Sequence, residues 1–138
     1  MQITRQADYA VRAVVYLAQR EPGLRVSTSH IATEQNIPIT FLAKIISQLA
    51  ASGVVRTMRG SRGGVTLAKP ITEISLLEVV EAIDGPMALN ECTINPSRCM
   101  MIDNCAVREV WCEARNELVE KLAQTKFSQF ARLTSLQA

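Results

Sequence analysis

Residues 27–67 read STSHIATEQNIPITFLAKIISQLAASGVVRTMRGSRGGVTL, and this stretch decides the fold. Ser27 or Thr28 suits the cap of a short helix that turns Ile31 and Ala32 inward and ends near Asn36. Pro38, Ile39 and Thr40 then open another helix, Phe41 to about Ser52, with Leu42, Ile45, Ile46 and Leu49 as its buried stripe. Gly53 stands where a left-handed C-terminal cap is wanted. Two helices joined by a short turn, the second basic and the linker free of acids, predict a helix-turn-helix. Behind them, Val54-Val55-Arg56-Thr57 and Val65-Thr66-Leu67 are strand-like and flank the Gly-rich Met58-Arg59-Gly60-Ser61-Arg62-Gly63-Gly64. That pattern predicts a hairpin whose tip carries two arginines, a wing. Its apolar residues pack on the recognition helix, while Arg59 and Arg62 reach phosphates or a narrow minor groove. The Gly-rich turn is a poor nucleotide cradle, because it lacks the G-x-x-x-x-G-K-[ST] pattern and no helix follows it.

Working outward, the preceding segment predicts a helix from about Thr4 to Arg20, with Tyr9, Ala10, Ala13, Val14 and Leu17 at helical spacing. Glu21-Pro22-Gly23 ends it. On the other side, Pro70 resets the chain before a short helix, Leu76 to Asp84, whose face is Leu76, Val79, Val80 and Ile83. Gly85-Pro86 stops it, and residues 87–104 read as a loop. Asp103 or Asn104 could cap a last helix from about Cys105 to Thr125, with Val107, Trp111, Ala114, Leu118 and Leu122 in one stripe. Such a helix outside the core needs a partner, and a two-fold homodimer supplies one. Phe127, Phe130 and Leu133 form a smaller apolar patch expected to pack on the dimer. The fold class is therefore mainly α with a small β-wing: a winged helix-turn-helix plus a long C-terminal dimerisation helix. Residues 1–85 are assigned to DNA binding, 86–105 to a cysteine-bearing loop, and 106–138 to the dimerisation helix and tail.

Charge agrees with that division. From Gln35 to Thr72 there is no acid, while Lys44, Arg56, Arg59, Arg62 and Lys69 give +5. Residues 73–138 carry ten acids against six bases, so the overall +2 hides a basic middle and an acidic end. A local phosphate-binding face follows, not a generally sticky protein. With 48% hydrophobic residues in 138, one small domain can bury a core. No signal peptide and no bilayer-length apolar run is visible, which predicts a cytoplasmic protein without membrane contact.

Cys92, Cys99 and Cys105 follow directly behind the wing module, with six and then five residues between them and Cys112 beyond. Without a secretory signal, metal or redox chemistry is favoured over disulfides. Thiolates are the usual ligands of iron–sulfur clusters. Zinc sites use closer C-x₂₋₄-C pairs, which argues against a structural zinc in a protein-binding adaptor. Cys112 beside Trp111 is more simply a small buried hydrophobe, and Trp111 a dimer-core anchor. A single histidine, His30, and no paired carboxylates leave no enzyme chemistry in view.

The chain resembles the Rrf-two family of bacterial regulators, which includes IscR, NsrR and RirA types. The match runs through Ile3-Thr4…Asp8-Tyr9-Ala10, Phe41-Leu42…Lys44-Ile45, Val55-Arg56…Arg59-Gly60…Gly63-Gly64…Leu67, Glu78-Val79-Val80, and the cysteine trio with Trp111 six positions after the third. The resemblance implies a homodimeric winged-helix regulator whose Cys92, Cys99 and Cys105 ligate an iron–sulfur cluster, 2Fe–2S or 4Fe–4S. It makes Thr40 a recognition-helix contact and Arg59 the residue that enters the minor groove. With Lys44, Arg56, Ser61 and Arg62, these are the expected contacts to a palindromic double-stranded operator. Two departures from the IscR type stand out. Arg108 replaces a histidine ligand, and a guanidinium cannot donate to iron. Ala43 replaces a glutamate on the recognition helix. The fourth ligand is open between Cys112, Asp8 of a partner's first helix, and the adjacent Glu91.

The expected function is a transcription regulator, a repressor, that senses nitric oxide, iron or redox status through that cluster. The alternative is a cluster-free winged-helix regulator of cysteine or sulfur metabolism, controlled by thiols or by a partner enzyme.

Overall fold

The computed structural model describes residues 2–89 and 105–131. Among the described residues, five α-helices and one two-stranded hairpin follow in order: α1 (Arg5–Ala18), α2 (Thr28–Gln35), α3 (Ile39–Ala51), β1 (Val55–Met58), β2 (Gly64–Leu67), α4 (Leu76–Asp84) and α5 (Arg108–Gln124). A short 3-10 turn, Phe127–Phe130, closes the described chain.

Three helices begin the same way. The hydroxyls of Thr4, Ser27 and Ser75 accept from the backbone N–H of Ala7, His30 and Glu78, each at 3.1 Å. Each cap stabilises its helix by about 1 kcal/mol, since those N–H groups otherwise lack an intrahelical acceptor. Between α2 and α3, Asn36 takes the left-handed conformation at φ 54°, one of few non-glycine residues that tolerate it. Ile37 then donates back to the Ala32 carbonyl at 2.9 Å and buries its side chain, which makes the turn tight. Pro38 presets the entry to α3, so this helix starts at Ile39, two residues earlier than expected, with Thr40 in its first turn.

β1 and β2 pair antiparallel, Val55 opposite Leu67 and Met58 opposite Gly64. Val26 adds a one-residue third rung, exchanging both backbone hydrogen bonds with Val65 at 2.7 and 3.0 Å. Gly64 makes that approach possible. It sits at φ 145°, and a Cβ there would lie 2.9 Å from the Val26 carbonyl oxygen.

The core joins Ala10, Ala13, Val14 and Leu17 of α1 to Leu42, Ile45, Ile46 and Leu49 of α3, with Ile31, Val54, Val65, Ile74 and Val79 around them. The tail differs from expectation. Phe127 is fully buried in this same core, packed edge-on against Phe130, and not spread on a partner. It is drawn in by backbone bonds: Leu76 N–H to the Thr125 carbonyl (2.8 Å), Phe127 N–H to Ile74 (3.0 Å) and Ser128 N–H to Ile71 (3.2 Å). Leu133 lies outside the described residues.

α5 starts at Arg108, three residues later than expected, so Cys105 precedes the helix; the caps considered for it, Asp103 and Asn104, lie outside the described residues. None of its residues is buried. Leu118, Val119 and Leu122 rest half-buried on Ala7, Val80 and Met87, while Val107, Val110 and Trp111 at the other end stay exposed. Among the described residues, no helix is long and apolar enough to cross a membrane.

Candidate nucleic-acid interface and thiol site

Helical spacing puts Leu42, Ile45, Ile46 and Leu49 on the buried side of α3 and leaves Thr40, Ala43, Lys44 and Ser47 exposed on the other. These four stand at i, i+3, i+4 and i+7, one face of one helix. The same burial that anchors α3 therefore presents a hydroxyl, a methyl, an ammonium and a second hydroxyl outward. A helix of this kind fits the B-DNA major groove, where Lys pairs with guanine acceptors and apolar groups meet the thymine methyl.

Arg56, Arg59, Ser61 and Arg62 are likewise all exposed, on β1 and the turn beyond it. The turn closes with Gly63 N–H donating to the Gly60 carbonyl at 2.9 Å, and a Cβ at Gly63 would collide with the Met58 carbonyl oxygen. All six expected DNA contacts thus lie on the surface, on two neighbouring elements. Lys69, the fifth base of the acid-free stretch, does not join them: its ammonium is paired with Glu78 of α4 at 2.5 Å.

Two arginines outside the expected set support this face. Arg12 reaches from α1 to the Gln35 carbonyl at the end of α2 (3.1 Å) and lies over the Tyr9 ring at 4.8 Å. Arg25 donates to the Arg62 carbonyl at the wing tip, 3.1 Å away. The only local hint was Val26 beside a base, and a one-residue bridge has no period to detect.

At the thiol end, Cys92, Cys99 and Glu91 lie outside the described residues. Cys105, just before α5, and Cys112, on it, are half-buried free thiols. Because Cys105 is not helical, the two are not held at a fixed helical offset. Asp8 is exposed on α1, paired with Arg12 at 3.4 Å, and borders a recess of about 750 Å³ shared with Leu122 of α5. Among the described residues, no three His, Cys, Asp or Glu side chains come together to hold a metal. The donors that are described fit a metal centre chemically, since both are thiols and thiolate sulfur suits iron.

The Rrf2 family profile, described as iron-dependent transcriptional regulator, matches residues 3–132. The chain belongs to the Rrf2 family. That family is described as one of transcriptional regulators, and Rrf2 winged-helix regulators bind DNA. A helix-turn-helix-type transcriptional regulator of Mycobacterium tuberculosis is 46% identical over 88 residues, 64% of this chain and 55% of that protein. The chain thus spans about half the length of that curated relative. Two solved Rrf2-type folds superpose closely. CymR, the global cysteine regulator of Bacillus subtilis, does so with TM-score 0.81 at 24% identity, covering 95% of this chain and 96% of that one. IscR of T. potens does so with TM-score 0.74 at 21% identity, covering 99% and 88%. At those identities the likeness shows the fold, mainly helical with a β-wing.

Proposed function

We propose that this Rrf2 protein is a homodimeric repressor that binds a palindromic operator and senses nitric oxide, iron or redox status through an iron–sulfur cluster held by Cys92, Cys99 and Cys105. The observation that carries the reading is the reach of the iron-dependent family match, residues 3–132, which takes in the wing and all three thiols. When bound, the cluster supplies an iron centre that oxidants and nitric oxide can alter, at a potential set by its ligands and surroundings.

The chain's own residues do the rest. Thr40 and Lys44 address base edges, and Arg56, Arg59, Ser61 and Arg62 address the backbone and minor groove. Val107, Val110 and Trp111 offer an apolar patch to a second copy at the end of α5 nearest Cys105. Any shift of Cys105 therefore reaches the surface that sets the spacing of two recognition helices, and half-sites about one helical turn apart tolerate little change in that spacing. Asp8, from the partner's first helix, Cys112 and Glu91 remain the fourth-ligand candidates, for either a 2Fe–2S or a 4Fe–4S cluster.

The test is iron and acid-labile sulfide per subunit after anaerobic purification, with a visible spectrum of the same sample. About two or about four irons establish the cluster and its type, and serine at position 92, 99 or 105 abolishes it. A colourless protein that also fails anaerobic reconstitution refutes the proposal. It leaves a thiol- or partner-controlled regulator of the kind suggested by CymR's role in cysteine regulation.

A further inference from the structure

Beside the wing, on the face bounded by α1 and the start of α2, lies an open recess of about 380 Å³ bordered by Tyr16, Arg20, Arg25, Ser27 and His30, among others. No acidic residue borders it; Glu21, the nearest acid in sequence, borders a different cavity under β2. Arg20 lies over the Tyr16 ring at 4.5 Å, and its Nε is buried with no hydrogen-bond acceptor among the described residues. The imidazole of His30 lies 6.1 Å from the same tyrosine ring, measured between centroids. Arg25 spends one N–H on the Arg62 carbonyl at 3.1 Å, and the planar guanidinium has five, so most of its donors remain for another acceptor.

We propose that this recess binds a phosphodiester of the DNA backbone, adding a third contact beside the recognition helix and the wing. The recess offers two guanidinium groups and an imidazole, the donor set that suits a phosphate's several acceptor oxygens. Two of its lining residues are also bonded to the wing. Arg25 holds the Arg62 carbonyl, and the next residue, Val26, is paired on both sides with Val65. A duplex engaged by Arg59 and Arg62 therefore has its backbone within reach of the segment that carries Arg25. The contact is with the backbone and carries no base preference of its own. This inference rests on the DNA-binding reading of α3 and the wing.

The experiment uses the full chain and a fluorescent 40-bp duplex of mixed sequence, with anisotropy titrations across a range of KCl concentrations. Each lost phosphate contact lowers the slope of log K against log salt by about 0.9, which weakens binding about fivefold at 0.15 M salt. Arg25→Gln is expected to show that change equally on two unrelated duplexes, His30→Gln a smaller loss of affinity, and Lys121→Gln on α5 none. Arg25 and His30 are both exposed, so the variants keep the fold, as their melting checks. Orthophosphate at 10 mM and constant ionic strength is expected to leave binding unchanged, and Arg25-dependent displacement by it overturns the assignment to the backbone. So does an Arg25→Gln variant with weaker binding but the parental slope, which means Arg25 only props the wing. An Arg25→Gln curve that overlays the parent, while Arg59→Gln and Arg62→Gln fall, refutes the recess alone. Absence of binding by the parent chain refutes the DNA-binding reading beneath it.

Discussion

Replacing Phe127 with alanine tests whether the tail is part of the protomer core. The ring is fully buried in the core that α1 and α3 share, and its edge meets Phe130 with centroids 5.6 Å apart. Truncating a buried phenylalanine costs about 3–5 kcal/mol, the transfer of the ring plus the cavity it leaves. The aromatic pair lies within that range and is not added to it, so the expected loss is about 4 kcal/mol. For a chain of this length the unfolding entropy turns that into a fall in Tm of roughly 10–15 °C. Urea unfolding followed by circular dichroism at several fixed protein concentrations measures it, because dimerisation alone makes stability concentration-dependent. A loss below about 1.5 kcal/mol, or one that vanishes at high protein concentration, refutes the reasoning. Either would place Phe127 on a partner, as the sequence pattern first suggested.

Gly64→Ala forces a Cβ to within 2.9 Å of the Val26 carbonyl at a φ of 145°. A loss of about 1–3 kcal/mol is expected, with weaker DNA binding as the wing leaves its third rung; unchanged melting and affinity show that the approach is not needed. Trp111→Lys changes a side chain that is 41% exposed in the protomer, so the fold survives. Sedimentation is expected to find monomer in place of dimer, whereas a persistent dimer moves the interface away from the start of α5.

The helix-turn-helix was legible because its signals are local. A capping serine, an asparagine that tolerates positive φ, a proline before the recognition helix and a four-residue apolar stripe all agree, and the fold obeys each of them. The exposure of Thr40 and Lys44 was legible for the complementary reason: once the buried stripe of α3 is known, what is left faces out. Phe127 was misplaced because periodicity records that a residue is apolar and is silent on which surface it meets. Its destination depends on backbone bonds to Ile71 and Ile74, more than 50 residues away in sequence. Lys69 counted toward the basic face until Glu78, nine positions on, paired with it. Nothing in the sequence marks Arg25, because a single-residue bridge leaves no pattern. The thiols were read from residue type and spacing, and only Cys105 and Cys112 have a described setting.

The seating of α5 has a mechanical consequence. Its far end is stitched to the core through Thr125 and Phe127, and Leu118, Val119 and Leu122 rest on the second apolar group. Toward Cys105 the burial fades, and Arg115 donating to the Met87 carbonyl at 2.9 Å is a guy rope partway along. Seventeen residues of helix make a rod of about 25 Å. Pivoted at the stitched end, a tilt of roughly 10° sweeps the Cys105 end through about 4 Å while hardly disturbing the fulcrum. A tilt of the rod is therefore felt most at the end that carries Val107, Val110 and Trp111 and least in the packed interior beneath the recognition helix.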